Sequence, residues 1–179
     1  MSKLFVDEIQ PKTTGAVINA KGMVIQVKQS ILTTTWTSAT SSTAFEDTPL
    51  NVIITPQSTN SKILITGMIN SGGQAGTHYD YKVVRNGADI LLSTETMGNK
   101  TKSHIHHYVE TAVNAYNIFP DIINLLDEPS STSALTYTLQ GGTPNSTSYI
   151  TYLNRSARTD NNAWNALTVS TLTAMEIGG

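Results

Sequence analysis

The chain has 179 residues, of which only 13% are charged, and its net charge is −2. Soluble domains usually carry about 25% charge, and a chain so balanced has no basic field to attract nucleic acid or acidic lipid. It contains no cysteine, which excludes disulfides, thiolate metal sites and cysteine nucleophiles.

A length of 179 residues is enough for one domain with a substantial core. Ser, Thr and Asn make up roughly a third of it. Short polar side chains compete for backbone hydrogen bonds and disfavour helices, whereas Thr, Val, Ile and Tyr suit a pleated, half-buried surface. The expectation is an all-β fold.

The first segment, "LFVDEIQPKTTGAVINAKG", reads as two short extended pieces broken at Pro11 and Gly15. Two isolated short strands do not stand alone in water, so residues 1–21 are expected to form an arm that docks elsewhere, with residues 22–179 as the head domain. Leu4, Phe5, Val6 and Ile9 supply its apolar contacts. "MSKLFVDEIQPK" lacks the apolar core of a signal peptide, and no run of about 18 apolar residues reads as a membrane helix. The expectation is a chain made in a cytoplasm, with no membrane insertion.

From Gly22 the chain reads as short strands with turn punctuation. "GMVIQVKQSIL" is apolar and β-branched, and "TTTWTSATSSTAFED" is polar with aromatic anchors at Trp36 and Phe45. "LNVIITP" stops at Pro56, "QSTNS" turns into "KILITGMIN", and "SGGQAG" reads as a flexible glycine loop. "HYDYKVVRNGADILL" has two strands around Asn86-Gly87, a strong hairpin signal. "HIHHYVETAV" follows, and then "NIFPDIINLLDEPSSTSALTYTLQ", read as two strands joined by a loop at Pro129. Ile122, Ile123 and Leu126 also fit a helical face, but the strand reading is preferred. "SYITYLNR", the polar loop "SARTDNNAWN" and "ALTVSTLTAMEI" complete the chain. Strands at this spacing point to an antiparallel β-sandwich of jelly-roll type.

Four pieces, "LFVDEIQP", "ITPQSTNSKILI", "LLDEPSSTSALTYTLQ" and "YLNRSARTDN…STLTAMEI", resemble the small virion proteins and fibre-tip domains of tailed bacteriophages, especially those of marine bacteria. The resemblance implies a jelly-roll head like that of tumour-necrosis-factor-like trimers. It also implies a homotrimeric virion component whose arm, Leu4 to Ile9, attaches it to other virion proteins or entwines the trimer. Such a protein contacts the host surface through its loops. The alternative is a capsid decoration protein that stabilises the shell, and a lectin or polysaccharide depolymerase is less well supported. The long repetitive shaft of a fibre is absent.

Three of the four histidines lie in "KSHIHHYVE". On a strand, His104, His106, Tyr108 and Glu110 share one face, with Ile105, His107 and Val109 on the other. One H-x-H pair supplies two ligands where a zinc site usually takes three or more. In a trimer, His104 and His106 from three copies would meet on the axis, which resembles the iron-holding H-x-H pairs of some phage fibre tips. The simpler reading is a solvated polar face, or histidines packed beside Tyr108 at a subunit boundary, and neither metal nor any other cofactor is expected. His78, Asp80 and Lys82 share a strand face opposite Tyr79, Tyr81 and Val83. No G-x-S-x-G elbow accompanies them, so they read as a polar outer face. Asp127-Glu128 reads as the start of a turn, and "SGGQAG" has the wrong spacing for a nucleotide-binding loop. No enzyme is expected.

The loop "NRSARTDNNAWN" is the strongest binding candidate. Arg155, Arg158, Asp160, Asn161, Asn162 and Trp164 combine planar donors, amides and an aromatic face. Sugar recognition uses that mixture, because amides and guanidinium satisfy hydroxyls while an indole covers an apolar sugar face. The partner that this mixture suits is a host surface glycan; the other reading is a polar surface loop in which Trp164 folds back as a lid on the core. An intersubunit ion pair between Arg155 and a carboxylate such as Glu176 is an alternative use. The sequons at Asn99, Asn145 and Asn154 are chance matches in so Ser/Thr/Asn-rich a chain.

Overall fold

The computed structural model describes residues 21–39, 43–144, 147–163 and 165–179. The arm with Leu4, Phe5, Val6 and Ile9 lies outside the described residues, as does Trp164.

Two antiparallel sheets pack face to face as a β-sandwich. The first contains β1 (Val24–Leu32), β2 (Trp36–Thr37), β4 (Lys62–Gly73), β8 (Phe119–Asp127), β10 (Thr151–Leu153) and β11 (Ser170–Ile177). The second contains β3 (Glu46–Ile54), β5 (Thr77–Arg85), β6 (Ala88–Asp89), β7 (Ile105–Val109) and β9 (Leu135–Gly142). Several short strands are halves of longer ones. Ser71 of β4 pairs with Phe119 of β8 on one side and with Leu153 of β10 on the other. β10 therefore lies end to end with β11 along β4, and residues 154–169 leave the sheet between them. β2 and β1 follow β10 and β11 in the same way. In the second sheet Asp80 pairs with both Gly142 of β9 and His106 of β7, while Val84 pairs with both Thr138 of β9 and Asp89 of β6. β6 and β7 are thus two parts of one edge, interrupted by residues 90–104. Among the described residues the sandwich has four strand positions per layer and two long excursions, and both candidate sites below adjoin an excursion.

Alternation of side chains builds the core. Ile63, Ile65 and Ile69 of β4, Ile123 of β8 and Leu172 and Ala174 of β11 face Val52 and Ile54 of β3, Tyr79, Tyr81 and Val83 of β5, and Tyr137 and Leu139 of β9. Tyr79, Tyr81 and Tyr137 are fully buried, and each hydroxyl crosses to the opposite sheet. Tyr79 meets Ser71 Oγ at 3.2 Å, Tyr81 meets Thr151 Oγ1 at 2.8 Å, and Tyr137 donates to Asp127 Oδ2 at 2.7 Å. A buried phenol needs a hydrogen-bond partner, and here that need fixes how the two sheets are aligned.

Several expectations change. "SGGQAG" is not simply a loop: β4 runs through Gly72 and Gly73, and the turn is confined to the residues after it. A Cβ on Gly73 would lie 2.5 Å from Tyr79 Cδ1, so the glycine makes room for a ring. Asn86-Gly87 does form the hairpin turn, with φ of 50° and 80°, although its second strand is only two residues long. "FPDIINLLD" is a strand, as preferred. Asp127 is not a turn starter. It is buried at the end of β8, where Arg85 Nη1 donates to it at 2.6 Å beside Tyr137. Among the described residues, no helix is long and apolar enough to cross a membrane.

Candidate functional site

The excursion at 154–169 begins at Asn154, whose φ of 63° lies in the left-handed region that Asn tolerates better than most residues. The side chain is buried, and its amide donates to Leu32 O and Thr34 O, both at 2.8 Å. Ser170 Oγ donates to Asn154 Oδ1 at 2.6 Å, and Thr168 N donates to Asn154 O at 3.0 Å. Arg155 and Leu167 then form an isolated antiparallel bridge. These contacts close the neck, so the loop stands as a unit on the sheet.

Beyond the neck the polar groups organise one another. The Arg155 guanidinium lies over the Tyr152 ring at 5.0 Å and donates to Ser156 O at 3.0 Å and Arg158 O at 2.9 Å. Arg158 lies over the Tyr116 ring at 4.5 Å and donates through Nε to Asp160 Oδ1 at 3.0 Å. The Asn162 amide donates to Asp160 Oδ2, and Asn165 Nδ2 donates to Asp160 O at 2.7 Å. Donation by Asn162, and then by Arg158, holds the Asp160 carboxyl below the usual carboxylate range. Asp160 is therefore a fixed anion that orients its neighbours.

Arg155, Arg158, Asp160, Asn161 and Asn162 all line one surface cavity of about 410 Å³. The structure thus gathers five of the six residues grouped from the sequence, and Trp164 falls outside the described ones. Sequence reasoning passed over Thr35, which reaches the cavity from the segment between β1 and β2, and Tyr116, which supports Arg158 from below. Neither lies near the loop in the chain, so no local signal marked them. Asn165 Oδ1 is buried and has no hydrogen-bond partner among the described residues. The cavity offers amides, guanidinium and hydroxyl with one carboxylate already committed, a chemistry suited to holding a hydroxyl-rich ligand. The pairing of Arg155 with Glu176 is corrected. Glu176 is fully buried, where it accepts from Gln26 Nε2 at 2.6 Å and Gln57 N at 2.7 Å within its own chain.

The histidines occupy three environments. His104 and His106 do not form an H-x-H pair. β7 starts at Ile105, and His104 Nδ1 instead accepts from Val83 N at 3.0 Å, continuing the edge of β5 where β7 stops. Burial lowers the His104 pKa. His106 is exposed and meets Asp80 Oδ1 at 3.0 Å and His78 Nδ1 at 3.4 Å, both on the adjoining strand. His107 turns inward, stacks on Phe119 and meets Asp121 Oδ2 at 2.8 Å. His78 and Asp80 do lie opposite the buried Tyr79, Tyr81 and Val83, but Asp80 is itself only 2% exposed beneath His106. Neither a protein-family model nor a curated protein matches this chain.

Proposed function

We propose that the chain is a non-enzymatic structural protein of a tailed-bacteriophage virion, a homotrimer that contacts a host surface glycan through its 154–169 loops. The fold supports the finer reading as a jelly roll. Merging the interrupted strands gives the order β1-β11-β4-β8 in one layer and β3-β9-β5-β7 in the other, the arrangement of an eight-stranded double Greek key.

The observation that carries the structural role is the outer face of the first sheet. Three rows cross its four strands. Ile31, Thr171, Met68 and Ile122 form one, Gln29, Thr173, Thr66 and Asn124 the next, and Val27, Met175, Leu64 and Leu126 the third. None of these residues is charged. Ile122 is 71% exposed, Ile31 55% and Val27 53%. Two largely apolar rows thus flank a polar, uncharged one; large apolar side chains exposed together mark an interaction site, and interface cores are depleted of charge and rimmed by polar groups. The Lys62–Glu128 pair, 2.6 Å apart, lies at one end of this face. Its cover in this reading is another copy of the chain, and the trimer is taken from the resemblance. Three loop cavities on one rigid assembly would then add avidity to weak individual contacts.

An antibody against the chain, applied to intact particles of a phage that encodes it, tests the virion assignment. Labelling is expected on every particle. Absence of the chain from purified particles would overturn the assignment.

A further inference from the structure

The side chains of His78 and His106 place two imidazole nitrogens, Nδ1 and Nε2, 3.4 Å apart on the outer face of the second sheet. We propose that this pair binds one divalent transition-metal ion of the zinc or copper class, bridging β5 to β7.

The geometry starts from Asp80. Its carboxylate is buried and accepts from Ser103 Oγ at 2.7 Å and from His106 Nδ1 at 3.0 Å. An ionised carboxylate only accepts hydrogen bonds, so the Nδ1 of His106 carries the proton and its Nε2 presents a lone pair. That Nε2 is the atom facing His78. The His78 ring is held by stacking on Tyr108, with ring centres 4.4 Å apart. Zinc–nitrogen bonds of about 2.0–2.1 Å at a tetrahedral angle separate two ligand nitrogens by roughly 3.3–3.4 Å. The two rings therefore already stand at the separation of a tetrahedral chelate.

Asp80 behind His106 reproduces the carboxylate–histidine–metal relay that fixes a ligating ring and raises its basicity. Imidazole ligands select zinc, copper or nickel over calcium or magnesium. The described residues offer no group of three His, Cys, Asp or Glu side chains for such an ion, so water completes the coordination and affinity is micromolar rather than structural-zinc tight. Room for that water exists, since the rings line a cavity of about 370 Å³ with Asp80, Lys100, Thr101 and Pro144. The nearby cations are Lys82, tied to Asp89 at 2.5 Å, and the exposed Lys100. Bound metal would join β7 to β5 just after the 90–104 excursion and hold that excursion against the sheet.

The test is calorimetric titration of the full, metal-free chain with Zn²⁺ alone and with Mg²⁺ alone, paired with thermal unfolding. One Zn²⁺ per chain and no Mg²⁺ binding are expected, with Tm rising by about 5–11 °C at a hundredfold excess of metal over Kd. His78→Ala and His106→Ala should each weaken binding at least tenfold, and Asp80→Asn about 10–100-fold. Should Asp80→Asn fail to fold, Ser103→Ala takes its place, with a smaller loss expected. His104→Gln should bind as the unaltered chain does. No Zn²⁺ binding at millimolar metal, or binding that survives loss of either His78 or His106, would overturn the proposal.

Discussion

The Tyr81 hydroxyl, on one sheet, lies 2.8 Å from Thr151 Oγ1 on the other. Thr151 donates its own hydrogen to Gly72 O at 2.9 Å, so the phenol hydrogen is shared between Thr151 Oγ1 and Tyr152 O at 3.0 Å. Tyr137 makes the equivalent crossing to Asp127, a buried carboxylate with Arg85 as its second donor. Tyr81→Phe removes a neutral bond and should cost about 1 kcal/mol. Tyr137→Phe takes a donor from a buried anion and should cost about 1.5–3 kcal/mol. Urea unfolding of both variants checks the order, and a larger loss for Tyr81→Phe would count against the role given to Asp127.

Gly141 sits directly across the ladder from Tyr81, and a Cβ there would come within 2.8 Å of Tyr81 Cδ1 and 3.1 Å of Trp36 Cζ3. Gly141→Ala should therefore destabilise by about 1–3 kcal/mol through overpacking. In a Tyr81→Leu background the same substitution should cost measurably less, because the ring that it strikes is gone. Equal losses in both backgrounds would place the strain elsewhere.

Asn154→Ala removes two donors to the Leu32 and Thr34 carbonyls and places a less tolerant residue at φ 63°. A loss of about 2–4 kcal/mol is expected, together with faster proteolysis within residues 154–169. Asn154→Gly keeps the backbone conformation and should lose less. The same burial means that the sequon at Asn154 cannot be modified in the folded chain, since the side chain is 1% exposed.

Burial lowers the folded-state pKa of His104, against the raising influence of the Ile90 and Leu91 backbone and Asp89; Lys82 lowers it further. The unfolded chain then binds the proton more readily, so this residue's contribution is complete above the unperturbed value, about 6.5, and is lost as pH falls below it. His104→Gln should flatten that part of the stability profile between pH 7.5 and 5. An unchanged slope would show that another group carries the dependence.

The turns and the polar loop were legible in the sequence because their chemistry is local. Asn86-Gly87 supplies two positive φ values in succession, and Arg155 to Asn162 share one cavity because they share one loop. β8 was ambiguous for a physical reason: its outward residues Ile122 and Leu126 are as apolar as the inward Ile123, which erases the alternation that marks a half-buried strand. Gly72 and Gly73 misled because a glycine that makes room for a neighbouring backbone, as at Gly72, or for a ring, as at Gly73, reads like one that supplies a turn. The pairing of His106 with His78 and Asp80, and of Asp127 with Arg85, depends on which strands are neighbours. No spacing along the chain encodes that.

The proposed packing of copies through the outer face of the first sheet is tested most directly by the solution mass of the full chain at micromolar concentration. A stable assembly of three 19.3 kDa chains is expected, reduced to monomer by Ile122→Glu with Met68→Glu, whose exposed side chains leave the core unaltered. A wild-type chain that remains monomeric would contradict the proposed assembly.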